Sequence, residues 1–169
     1  MYTIAKINNT THEKFIEMTG GIFEHSSWIA EKAAVLKPFS SLYHLHREMV
    51  NIVESSSFEQ KLSLIKAHPN LGDRVAMTAG SSQEQKGAGL QSLSPVEYTQ
   101  FISMNQRYME KFGFPFILAV RGKNKQQIYE AMEKRIHHSK EVEFETALAE
   151  IYMIALLRLE EKITDIPVL

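Results

Sequence analysis

His68 stands in Ala67-His68-Pro69-Asn70-Leu71-Gly72, where a helical pattern has to stop because the residue before a proline is pushed out of the α conformation. Histidine is the only side chain whose ordinary pKa lies near neutrality, which suits proton transfer. A lone histidine at a helix end reads just as well as a cap or a surface residue, so chemistry here needs company. Arg158 is a second candidate. Along the last helical stretch Phe144, Ala147, Leu148, Ile151, Ile154, Ala155 and Leu159 form an apolar arc, and at ~100° per residue Arg158 falls inside it. A guanidinium there must pair with a carboxylate or face a polar cavity, where it could hold an anion through two parallel hydrogen bonds. The third candidate is Ser81-Ser82-Gln83-Glu84-Gln85. Ser81 with Glu84 fits a capping box, as does Ser82 with Gln85, so the spacing predicts a helix start. Helix starts also present backbone donors to an anion or a polar heterocycle. Glu84 could therefore bond a backbone amide, a histidine or a substrate nitrogen.

A fourth segment, Lys111 to Val120, is apolar and fits neither helix nor strand by propensity. Gly113 can take the positive φ that ends a helix, and Pro115 removes a donor and holds Phe114 extended. Phe112, Phe114 and Phe116 followed by Ile117-Leu118-Ala119-Val120 would line a narrow dry wall, or simply cross the core. The other histidines carry little. His44 and His46 diverge on a helix, and His137 and His138 are adjacent; no pair has the spacing of a helical zinc site. Gly87-Ala88-Gly89 lacks the rest of a dinucleotide fingerprint, and no nucleophile elbow is present. These patterns point to chemistry that uses neither a metal nor a cofactor.

Helical spacing dominates the elements that must position these groups. The spacing predicts helices over 26–36 with a Ser26 cap, 41–54, 58–67, 94–112, 124–138 and 141–163. Ser94-Pro95-Val96-Glu97 is a strong start, with a serine cap, proline first and glutamate third. From Asp73 to Ser92 clear periodicity is lost, and loops on a rigid scaffold are where chemistry usually sits. Only Phe114 to Val120 could be a strand, and alone it would leave its backbone groups unpaired. The expected fold is all-α, a single-domain irregular bundle of roughly seven or eight helices over residues 1–169, with 164–169 a tail or the start of a linker.

Bulk properties exclude several functions. A chain of 169 residues, 44% hydrophobic and 23% charged, is ordinary for one globular domain. A net charge of −1 and a pI near 6.7 leave no footprint for nucleic acid. With no cysteine, disulfides and thiolate metal sites are ruled out. No apolar run approaches the ~20 residues of a membrane span, and the N-terminus does not resemble a secretory signal, so a cytoplasmic location is expected.

In this order, five features resemble one family, the OHCU decarboxylases, which act on 2-oxo-4-hydroxy-4-carboxy-5-ureidoimidazoline in urate degradation. They are His68-Pro69 before Leu71-Gly72, the Ser81 to Gln85 block before Ala88-Gly89-Leu90, Asn105 with Tyr108, Phe112-Gly113-Phe114-Pro115-Phe116, and the late helix with Arg158. The resemblance runs from about Phe23 to Arg158. It implies an all-helical, cofactor-free homodimer that removes CO2 and leaves (S)-allantoin. His68 would be the proton donor, with Glu84 and Arg158 as the other working residues. Substrate contacts would fall on Pro69, Ser81, Ser82, Gln83, Glu84 and Gln85, and on Phe116, Ile117, Leu118, Ala119 and Val120. In bacteria the domain also occurs fused to urate oxidase. A rival reading is a non-catalytic helical module associated with urate oxidase, whose Met49, Met104, Met109, Met132 and Met153 would form an adaptable apolar surface. A related hydrolase or isomerase of ureido compounds is a third.

Overall fold

Capping chemistry delimits most helices. The computed structural model describes residues 1–73 and 77–165. In chain order the elements are β1 (Tyr2–Thr3), α1 (Ile4–Asn8), α2 (His12–Thr19), α3 (Trp28–Ala34), α4 (Leu42–Glu54), α5 (Phe58–Lys66), α6 (Ala79–Gly87), α7 (Pro95–Phe112), α8 (Lys125–Arg135), α9 (Lys140–Lys162) and β2 (Ile163–Thr164). The architecture is all-α, with nine helices among the described residues. The excess over the expected seven or eight comes from α1 and α2, short N-terminal helices whose caps are Thr3 and Thr11. Both threonine hydroxyls accept an N–H from the first turn, a signal as plain as the serine caps further on.

By compactness the chain divides into two units, Met1–Leu64 with Tyr152 onward, and Ile65–Ile151. In unit 1, α3 packs on α2 and α4, and the core includes Phe15, Ile29, Leu45, Met49, Val53 and Leu159. Ser26 does not cap α3. Its hydroxyl donates to Glu24 C=O, Ser27 takes the cap position, and the helix ends before Val35 and Leu36, which are exposed. β1 and β2 pair in parallel, Tyr2 with Ile163 and Thr3 with Thr164, and Asp165 accepts the Leu42 N–H at the start of α4. The expected tail thus begins as a strand; 166–169 lie outside the described residues.

In unit 2, α7 has the expected full capping box of Ser94 and Glu97, Pro95 at its first position, and Gly113 at φ 78° beyond its end. α8 starts on a second such box, Asn124 with Gln127. α7 packs on α8, and Phe101, Tyr108, Phe112, Ile128 and Met132 are buried. Met49, Met104 and Met132 are core, so only Met109 and Met153 of the five methionines of the module reading face outward. No helix of the described residues is long and apolar enough to cross a membrane.

Candidate active site

α5 stops at Lys66, and the His68 N–H closes back on Ile65 C=O at 3.2 Å. His68 is only 8% exposed, so its imidazole is enclosed by protein instead of projecting from a helix end. The chain beyond it is fixed at a single peptide group. Asn105 Nδ2 donates to Leu71 C=O at 2.8 Å, and the Gly72 N–H donates to Gln85 Oε1 at 3.0 Å. Those are the two ends of the Leu71–Gly72 amide, held from α7 and α6. Glycine is favoured at 72 by its φ of 77°, and a Cβ there would also crowd Leu93 Cδ1 at 3.0 Å and Phe101 Cδ1 at 3.2 Å. Gln85 and Asn105 are buried, yet Gln85 Nε2, Asn105 Oδ1 and the nearby Asn70 Oδ1 have no partner among the described residues. One unmet donor and two unmet acceptors around a fixed loop cost free energy until a polar group meets them.

The helix start predicted at Ser81 lies earlier. Thr78 is the cap of α6, its hydroxyl accepting the Ser81 N–H at 3.3 Å, so the Ser81–Glu84 box does not form. Thr78 outcompetes Ser81 because capping needs an extended backbone at the cap, and Thr78 has it at φ −64°, ψ 159°. Glu84 is consequently a half-buried residue of the helix interior. Ser81 and Gln85 are buried, Gln83 is exposed, and the Ser82 hydroxyl and carbonyl both accept from Gln91 Nε2.

Phe114 to Val120 forms neither helix nor strand, and every residue of it is buried. Tyr108 organises its aromatic start, with ring centroids 4.4 Å from Phe112, 6.0 Å from Phe114 and 5.3 Å from Phe116. The Tyr108 hydroxyl donates to the fully buried Glu143 Oε1 at 2.5 Å. Arg135 Nε donates to the same oxygen at 2.9 Å, and His138 Nδ1 lies 3.0 Å from Oε2. Arg135 Nη2 also lies 2.9 Å from Oε1 but off the N–H direction, adding charge attraction and no further hydrogen bond. Burial, and then the adjoining carboxylate, push the Tyr108 phenol well above its usual range.

Arg158 is 5% exposed within the apolar arc of α9, as its spacing predicts. Its carboxylate partner is Glu24, fully buried, with Nη2 to Oε2 at 3.1 Å; Nη1 donates to Gly21 C=O at 3.1 Å. The sequence gives no warning of Glu24, which lies in an irregular turn without periodicity. Arg135 and Glu143 were detectable: Arg135 continues the Ile128, Met132 stripe, and Glu143 precedes Ala147 and Ile151 at four-residue steps. His68, Pro69, Ser81 to Gln85 and Phe116 to Val120 all belong to unit 2, where Gln85 joins α6 to the loop after His68. Arg158 belongs to unit 1.

Three comparisons bear on this arrangement. A family model described as OHCU decarboxylase matches residues 8–160. The uric acid degradation bifunctional protein PucL of Bacillus subtilis is 48% identical over 165 residues, covering 98% of this chain and 33% of its own. The chain therefore spans about a third of that relative's length. The 2-oxo-4-hydroxy-4-carboxy-5-ureidoimidazoline decarboxylase of Haloferax volcanii is 44% identical, with 96% of this chain and 97% of the relative covered. Among solved structures, that of an (S)-allantoin synthase aligns with a TM-score of 0.81 at 33% identity, covering 97% of this chain and 54% of the other.

Proposed function

Because the chain belongs to the OHCU decarboxylase family, we propose that it converts 2-oxo-4-hydroxy-4-carboxy-5-ureidoimidazoline to (S)-allantoin and CO2. The match over residues 8–160 carries this reading. The bond from C4 to the carboxylate breaks and CO2 leaves, and the electron pair forms a C4–C5 double bond as the C5=N imine takes its electrons onto nitrogen. The ureido-bearing C5 then takes a proton while the C4 hydroxyl gives one up to become the carbonyl. His68 is the donor, Glu84 directs it, and Arg158 stabilises negative charge on the substrate. Pro69, Ser81 to Gln85 and Phe116 to Val120 hold the substrate. The reading is supported by the burial of His68 and by the clamped amide that follows it, since a positioned acid delivers its proton to one face only. It is supported too by the apolar wall from Phe114, which would keep water from protonating the other face. No metal or cofactor is required, because the ring itself is the electron sink.

We further propose a cytoplasmic homodimer that acts as a single domain over 1–169, alone or joined to urate oxidase; a bifunctional uric acid degradation relative supports the joined form. Sedimentation equilibrium tests the dimer. The chemistry is tested by adding wild type or His68→Ala to freshly oxidised urate and following the optical activity of allantoin. The variant should be slower by about 10²–10⁴-fold, the usual worth of a positioned acid. A folded His68→Ala protein that makes (S)-allantoin at the wild-type rate removes His68 from the mechanism.

A further inference from the structure

We propose that Arg135 and Glu150 are positioning residues that aim the backbone N–H and C=O of Leu118 at the substrate. This rests on the assignment of Phe116 to Val120 as a substrate wall. A buried stretch outside helix and strand still has to satisfy its peptide groups. Here side chains do so. Arg135 Nη1 donates to Ile117 C=O at 2.7 Å, and the Ala119 N–H donates to Glu150 Oε2 at 3.1 Å. Arg135 is itself immobilised, with its guanidinium carbon 4.3 Å from the Phe116 ring centroid and its Nε on Glu143.

The two anchors flank one residue. In a trans amide the C=O and N–H point in opposite directions. Holding Ile117 C=O toward Arg135 therefore turns the Leu118 N–H away from Arg135. Holding the Ala119 N–H toward Glu150 turns Leu118 C=O away from Glu150. Neither of these two Leu118 groups has a hydrogen-bond partner among the described residues, although Leu118 is only 7% exposed. One donor and one acceptor on a single rigid residue complement the N–H and C=O of a ureido or cyclic imide group. A partner strand would have used up such groups, whereas anchoring by side chains from α8 and α9 leaves them available.

Glu150 is the better test, because it is half-buried and Glu150→Gln keeps an acceptor oxygen. The variants Glu150→Gln and Glu150→Leu are compared for kcat, KM, enantiomeric purity of the allantoin, and melting temperature, with His68→Ala alongside. Glu150→Leu should raise KM and lower kcat/KM by about tenfold or more, since small misplacements at a site carry large kinetic costs. Its product should lose enantiomeric purity, and Glu150→Gln should restore most of both. If Glu150→Leu lowers only the melting temperature and leaves KM and enantiomeric purity at wild-type values, Glu150 is merely structural and the inference is overturned. Should Glu150→Leu not fold, Glu150→Asp, which keeps the charge and withdraws the acceptor by one methylene, makes the same comparison. A fully active His68→Ala points to failure of the site assignment itself. An inactive His68→Ala beside a kinetically silent Glu150→Leu points to failure of the positioning inference alone.

Discussion

Arg158 occupies a position that packing alone would fill with leucine, and Glu24 is fully buried, so the ion pair between them offsets much of the cost of burying both charges. Removing one partner strands the other, at a cost of about 3–5 kcal/mol, while replacing both with apolar groups is often close to neutral. Arg158→Leu should therefore lower the urea midpoint sharply, and Arg158→Leu with Glu24→Leu should recover much of that loss. If Arg158 also stabilises charge on the substrate, the stable double variant stays inactive; full activity in it would make the pair purely structural. Tyr108 offers a second test. Its phenol is raised above the ordinary 10.0 by burial and by Glu143, so the folded state favours the neutral form. The associated stability is complete below pH 10 and is lost as pH climbs toward the folded value. Wild type should lose stability above pH 10 more steeply than Tyr108→Phe, as measured by urea unfolding across that range. Equal slopes would mean that the phenol is not held neutral.

At the scale of elements, α7 is the part that serves two segments at once. Asn105 and Tyr108 are three residues apart and share a face, one gripping the Leu71–Gly72 amide and the other meeting Phe114 and Phe116 edge-on. Asn105→Leu fills the space but leaves Leu71 C=O buried without a donor, a cost of about 1–3 kcal/mol. Its activity should fall along with its stability, because the loop after His68 is no longer fixed from that side. Hydrogen exchange would then be faster at Gly72; unchanged protection there would contradict the clamp. The start and stop of α7 were legible in the sequence because serine, proline, glutamate and glycine each act within a few residues. The start of α6 was misplaced by the same kind of logic. Thr78 and Ser81 are both competent caps, and backbone conformation, which spacing does not reveal, chose between them. Phe114 to Val120 was unassignable for a different reason. Its backbone partners, Arg135 and Glu150, lie on helices up to 31 residues away in sequence, and no local pattern encodes such a pairing.

For the whole molecule, an all-α fold follows from the prevalence of three-to-four-residue apolar spacing, and the candidate residues from motifs whose order along the chain is specific even though each is weak alone. What the pattern does not supply is the set of charge partners. Glu24 sits in a turn, and the Arg135–Glu143 pair becomes visible only if the argument made for Arg158 is applied to every helix. The same folded state that buries His68 and leaves Gln85 Nε2 and Asn105 Oδ1 without a partner among the described residues should be stabilised by any ligand that satisfies them. A ligand that binds only the native state at 100 times its Kd adds about 2.7 kcal/mol, which for a chain of this size corresponds to a rise in melting temperature of about 5–10 °C. (S)-Allantoin, the proposed product, should give such a shift. The shift should shrink in Asn105→Leu, which removes one of the unmet acceptors. An interaction module has no polar pocket for a ureido compound and should give none. A melting temperature insensitive to allantoin up to its solubility limit, in protein shown to be folded, would therefore favour the module over the enzyme.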